Sequence, residues 1–225
     1  MNQTYMNTYG GSALSTQERN RVLRNTYALL AVSMIPTVLG AWLGVATGLT
    51  GFLGLIVFLG GAFGFMFAIE KTKNSAAGVP VLLAFTFFMG LMLSGLLARV
   101  LGLANGASLI MTAFGGTAAI FLGMASLSGI IKRDLSGMGK FLFIGVIMLL
   151  VAGIANVFLQ SSALMITLSV IAIGIFSAFI LYDLKRVQDG EETNYITATL
   201  GVYLSLFNVF QSLLSLLGIF GGERE

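Results

Sequence analysis

Few residues in this chain can do chemistry, and those that can are mostly carboxylates, hydroxyls and amides. Cysteine and histidine are both absent. That excludes disulfides, zinc sites built on thiolate or imidazole, and catalysis through Cys or His. Haem on a His or Cys ligand and iron–sulfur clusters are excluded too. Among the charged residues Asp183 stands out, because it follows the apolar run from Ile175 to Tyr182 and precedes Leu184-Lys185-Arg186. It reads in two ways. It is either an interfacial carboxylate paired with Lys185 or Arg186, or a titratable group at the inner mouth of a pathway. Lys71, near the end of an earlier apolar stretch, is on the correct side to pair with it, and Glu70 competes for the same cation.

A second pattern lies near the C-terminus. Thr197, Gly201, Ser205, Asn208, Ser212 and Ser215 recur at steps of 4, 4, 3, 4 and 3, which puts them on one helix face. Such a face avoids lipid and must meet other helices or water. It is either a close-packing surface with interhelical hydrogen bonds or the lining of a pathway. Gly201, Ser205, Asn208 and Ser212, with Asn156 from an earlier helix, are the candidate lining residues. Asn156 and Asn208 lie deepest in apolar surroundings, and each needs a partner, since an unsatisfied amide in hydrocarbon is costly.

Enzyme readings fare poorly. An intramembrane aspartyl protease needs two embedded carboxylates, and Asp183 has no second one in a neighbouring helix core. Ser–His catalysis is impossible, every lysine falls in a loop or at a helix end, and no phosphate-binding glycine motif precedes a suitable helix. The expectation is a non-enzyme with no catalytic residue, no metal site and no cofactor.

The elements that position these residues follow from composition. Of 225 residues, 57% are apolar and 9% charged, against about a quarter charged in soluble domains. The bilayer is the natural solvent for such a chain. The basic residues are dispersed, with no basic face, so nucleic acid is not an expected partner. A spanning helix needs about 20 residues. The uncharged stretches predict helices near 24–46, 51–69, 78–99, 107–131 and 196–219, with two more between Lys140 and Asp183 broken near Gln160-Ser161-Ser162. The predicted fold class is an all-α integral membrane protein, a seven-transmembrane helix bundle with helix 7 central. Residues 1–18 read as a disordered cytoplasmic tail and 19–222 as one domain. Gly60/Gly64, Gly90/Ser94 and the face Ser108, Thr112, Gly115 and Ala119 read as helix-packing surfaces.

Orientation follows from loop charge. Ten of the lysines and arginines fall on the side of the N-terminus, and two, Arg99 and Arg224, on the other. The N-terminus is therefore expected in the cytoplasm and the C-terminus outside.

The chain resembles the Bax inhibitor-1 family. The likeness is carried by Val22-Leu23-Arg24-Asn25-Thr26-Tyr27, Phe114-Gly115-Gly116-Thr117-Ala118 and Gly153-Ile154-Ala155-Asn156-Val157-Phe158-Leu159-Gln160. It continues through Gly190-Glu191-Glu192-Thr193-Asn194-Tyr195-Ile196 and Tyr203-Leu204-Ser205-Leu206-Phe207-Asn208-Val209-Phe210. The likeness is greatest to the bacterial branch, which includes an inner-membrane modulator of a membrane-bound ATP-dependent zinc protease. The resemblance implies a seven-helix bundle in the bacterial inner membrane, its last helix surrounded by the other six, and a pH-sensitive calcium leak. In calcium-leaking relatives two aspartates form the sensor, with an arginine of the second helix as switchable partner. The first aspartate maps to Asp183, the second falls at Ser205, and the arginine region holds Glu70 and Lys71. The family's Gly-Pro pattern in the third helix reads Ser94-Gly95 here. One carboxylate instead of two halves the charge offered to a divalent ion, and hard cations want several oxygen ligands. Two functions follow as expectations: a pH-modulated cation leak, with calcium ions as the partner, or a non-conducting regulator that binds a membrane-bound ATP-dependent protease.

Overall fold

The computed structural model describes residues 15–48 and 52–222. Most of the expected N-terminal tail, and Arg224, lie outside the described residues. Seven α-helices follow one another: α1 (Thr16–Thr47), α2 (Phe52–Thr72), α3 (Gly78–Leu101), α4 (Gly106–Ile130), α5 (Met138–Leu159), α6 (Ser162–Asp189) and α7 (Tyr195–Gly222). The described residues contain no strand. By length and composition α1, α3, α4, α5, α6 and α7 are long and apolar enough to cross a membrane.

Two helices run further than charge counting suggests, each for a local reason. α1 begins at Thr16 because Ser15 and Glu18 form a capping box. Ser15 Oγ accepts the Glu18 N–H at 3.3 Å, and Glu18 Oε2 accepts the Ser15 N–H at 2.9 Å, which satisfies two of the donors a helix start leaves free. α6 continues to Asp189 and stops at Gly190, whose φ of 82° is the left-handed cap that glycine accommodates. Within that last stretch Lys185 pairs with Asp189 one turn on. Asp183 therefore lies inside α6 and not at its end.

The α1–α3 contact is backbone against backbone. A Cβ on Gly90 would lie 2.0 Å from the Thr37 carbonyl oxygen, and one on Gly40 would lie 2.0 Å from that of Phe87. A turn further along, a Cβ on Gly44 would lie 2.6 Å from the Ser94 Cβ. The expected Gly90/Ser94 surface thus does pack, and its counterpart is Gly40/Gly44 on α1. The expectation for α2 and α4 needs correction. Gly60 and Gly64 are exposed and a Cβ at either would meet nothing within 4 Å. Gly61 is the packed glycine of α2, seated on the Phe88 ring. On α4 the residues Ser108, Thr112, Gly115 and Ala119 are exposed, and Gly106, Ala113 and Thr117 face inward. Small residues on opposite faces of one helix look alike in sequence, so spacing alone did not choose between them.

α7 packs against α1, α2, α3, α4 and α6, whereas α5 packs only against α6 among the described residues. Its Ile196, Val202, Tyr203, Phe207 and Val209 join one buried cluster with Leu29 and Leu30 of α1, Phe85 and Met89 of α3, and Ile180 and Leu184 of α6. Along the described side chains of α7 only Gln211 and Phe220 are exposed.

Gly90→Ala should destabilise the protein by about 2 kcal/mol or more, because the new methyl meets backbone that cannot yield. Gly115→Ala should be neutral or slightly stabilising, since the added methyl meets open space and alanine is the better helix former. Thermal unfolding of the two variants in detergent checks the contrast.

Candidate functional site

The site is built on the α6–α7 pair and held from the far side by one tyrosine. Tyr203 is 1% exposed. Its hydroxyl lies 2.8 Å from Thr37 Oγ1 of α1 and 3.3 Å from the Thr86 carbonyl oxygen of α3. A buried phenol needs such partners. Its ring meets Phe85 edge-on with centroids 6.2 Å apart. Thr199, one turn earlier, donates to the Tyr195 carbonyl at 2.7 Å and also lies 3.4 Å from the Thr26 carbonyl of α1. These contacts fix the rotation of α7 about its axis.

That rotation turns Gly201 toward α6. A Cβ on Gly201 would lie 2.8 Å from Asp183 Oδ2 and 3.1 Å from its Cγ, so a side chain here would force the carboxyl to shift. The carboxyl opens on a cavity of about 220 Å³ lined by Met66 of α2, Asp183 and Arg186 of α6, Glu192 of the connecting turn, and Thr197, Ala198, Leu200, Gly201 and Leu204 of α7. Asp183 forms no hydrogen bond or ion pair among the described residues. The nearest opposite charge, Arg186, is engaged elsewhere. Its Nε lies 3.6 Å from Glu191 Oε2, its Nη2 lies 3.9 Å from Glu192 Oε2, and its guanidinium stacks 5.6 Å from the Tyr182 ring centre. Glu192 is further fixed by accepting the Asn194 N–H at 2.8 Å.

The pairings expected for Asp183 do not form. Lys185 is taken by Asp189. Lys71 rests over the Phe67 ring, 5.4 Å from its centre, and Glu70 is bound by Lys73 at 2.6 Å. All three candidates on α2 and α6 have a nearer partner on their own helix or its flank, one turn away, which costs less chain ordering than a bond between helices.

The expected lining residues divide. Gly201 faces the cavity. Ser205 is buried, at 3% exposure. The Asn208 amide donates to the Leu204 carbonyl of its own helix at 2.8 Å, and Ser212 is half-buried. Asn156 is not brought to α7 at all. It is buried at the end of α5, where its Oδ1 accepts the Ser161 N–H at 3.0 Å and its backbone carbonyl accepts the Gln160 N–H at 2.8 Å. It thereby holds the α5–α6 turn, in which Gln160 takes a left-handed φ of 49°. No group of three or more acidic residues suited to a metal ion occurs among the described residues. The arrangement offers one uncommitted carboxyl beside an anchored Arg–Glu pair, suited to taking up a proton or a single small cation.

Tyr203 and Glu192 were not anticipated. A lone tyrosine among many aromatics carries no periodic signal. Glu192 lies in the turn, where only the fold shows that it reaches the cavity of Asp183.

A bundle of long apolar helices defines a multi-pass membrane protein. The family described as "Inhibitor of apoptosis-promoting Bax1" matches residues 19–222, and the chain belongs to this Bax inhibitor-1 family. The chain is 39% identical over 207 residues to Escherichia coli (strain K12) YccA, named a modulator of FtsH protease, covering 92% of each chain. It is 38% identical over 216 residues to a membrane protein of Vibrio cholerae, covering 96% of this chain and 97% of the relative. A Neisseria meningitidis serogroup A protein is 37% identical over 215 residues.

Asp183→Asn should leave thermal stability within about 0.5 kcal/mol of the parent, since no hydrogen bond or ion pair among the described residues is lost. Asn156→Ala should cost about 1–3 kcal/mol by stranding the Ser161 N–H. Unfolding followed by a thiol-independent dye or by intrinsic fluorescence checks both.

Proposed function

We propose that this chain is a non-enzymatic modulator of a membrane-bound ATP-dependent protease of the FtsH type, acting in the bacterial inner membrane. The observation that carries the proposal is its 39% identity to YccA, with 92% of both chains aligned. An alignment of that extent leaves little of YccA that has no counterpart here. In this reading all seven helices cross the bilayer, α7 is the centre of the bundle, and the N-terminus with its ten accompanying lysines and arginines faces the cytoplasm. The segment before α1, residues 1–14, is the part that the ATPase grasps in this reading.

The test is co-purification of the full chain with the protease, together with the turnover of a membrane substrate, for the parent and for a variant lacking residues 1–14. The expected outcome is retention and slowed substrate turnover with the parent, and loss of at least one of the two on tail removal. Equal retention and equal turnover in both would overturn the tail's role.

A second reading, a pH-modulated cation leak, is favoured by one specific observation. The Asp183 carboxyl has no ion-pair partner among the described residues and opens on the 220 Å³ cavity. Asp183 would be the titrating group and Arg186, with Glu192, its neighbours in place of Lys71 and Glu70. Gly201, Ser205, Asn208 and Ser212 would line the route beyond it. In calcium-loaded liposomes, flux that varies with pH and is lost in Asp183→Asn supports this reading. Flux equal to that of empty liposomes removes it.

A further inference from the structure

A lateral groove lies between α1 and α4 at the end of the bundle where α1 begins. Two hydrogen bonds fix that end. Arg19 Nη1 donates to the Gln188 carbonyl at 3.1 Å and Gln188 Nε2 donates to Ser128 Oγ at 2.8 Å, so the start of α1 and the ends of α4 and α6 lie together. α1 and α4 do not pack along their backbones. They touch through Tyr27 and Phe121, whose rings meet edge-on at 6.1 Å. The groove has a volume of about 400 Å³ and is lined by Tyr27, Phe121, Leu122, Ala125 and Ser126. Tyr27, Leu122 and Ser126 are exposed, so it opens sideways to whatever surrounds the bundle.

We propose that this groove binds one anionic phospholipid, its acyl chain lying on Phe121, Leu122 and Ala125 and its phosphate held by Arg24 and Arg21. Three observations converge on that occupant. The walls within the groove are mainly apolar and carry no charge. The cations stand at one end only. Arg24 is one turn before Tyr27 on the same face and Arg21 one turn before that, while Lys132 and Arg133 follow α4 at the same end. All four are exposed and form no ion pair among the described residues. The two acids nearest in sequence are occupied, Glu18 by Ser15 and Asp134 by the Ser136 N–H at 2.8 Å. Finally, the Tyr27 hydroxyl has no hydrogen-bond partner among the described residues, and a tyrosine at that level is a donor to a headgroup. A partner helix fits less well. The α4 wall from Phe121 to Ser126 rises only about 8 Å, short for a helix–helix contact, and a helix would not call for four unpaired cations at one end.

The test uses the full chain purified in detergent, with retained lipid read by native mass spectrometry during titration with phosphatidylglycerol or phosphatidylcholine. Phosphatidylglycerol should be retained preferentially. The double variant R21Q/R24Q should weaken its retention about tenfold and leave phosphatidylcholine unchanged. Ala125→Phe, which fills the groove, should reduce both. R21Q/R24Q touches no packed residue, so it remains informative if Ala125→Phe fails to fold. Equal retention of the two lipids, or no change in R21Q/R24Q, overturns the proposal. A photo-crosslinking residue at Ser126 should yield an adduct of lipid mass in native membranes, and an adduct of protein mass overturns it in favour of a partner chain.

Discussion

The contact between the α1 and α3 backbones is the constraint on which the rest of the structure depends. Because Gly40 and Gly90 carry no side chain, the two helices approach until carbonyl oxygens occupy the space a Cβ would take. That approach brings Thr37 and Thr86 close enough to share the Tyr203 hydroxyl. In a bundle so poor in polar groups, a buried hydroxyl has few alternatives to this arrangement. Tyr203 then sets the rotation of α7, and Gly201, two residues before it, is presented to Asp183. A sequence of sterically determined contacts thus runs from a glycine pair on one side of the bundle to a carboxyl on the other.

Most other polar side chains within the helices are satisfied locally. Ser33, Thr37, Thr72, Thr117 and Thr167 return their hydrogens to a carbonyl one turn back, which is how hydroxyls are tolerated in apolar helices. Asn208 does the same through its amide. Asp183 differs from these, a carboxyl inside a helix with no hydrogen bond or ion pair among the described residues. Groups of this kind in membrane helices are costly to keep, and the surrounding structure keeps this one by withholding a side chain at Gly201 and by engaging Arg186 with Glu191 and Glu192.

Much of this architecture was legible in the amino-acid sequence. Charge placement located seven helices to within a few residues at most ends, and the polar steps from Thr197 to Ser215 marked α7 as a helix that meets several others. The misses have physical causes. The Ser15–Glu18 capping signal was present in the sequence but sits among polar residues that resemble a tail. Asp183 looked terminal because Lys185 and Arg186 follow it, whereas the Lys185–Asp189 pair lets the helix continue. The inward face of α4 and the choice of Gly61 over Gly60 and Gly64 depend on which neighbour a helix meets, a property of the whole bundle. Asn156, expected among the lining residues, holds the α5–α6 turn, and among the described residues its helix packs only on α6.

Asp183 is a carboxyl without a partner among the described residues, set in a small cavity, while Asp189 on the same helix is bound by Lys185. Labelling of the protein in native membranes with a hydrophobic carbodiimide, read by peptide mass spectrometry, separates the two directly. Modification is expected at Asp183 and protection at Asp189. Modification of Asp189 with Asp183 untouched would contradict this arrangement.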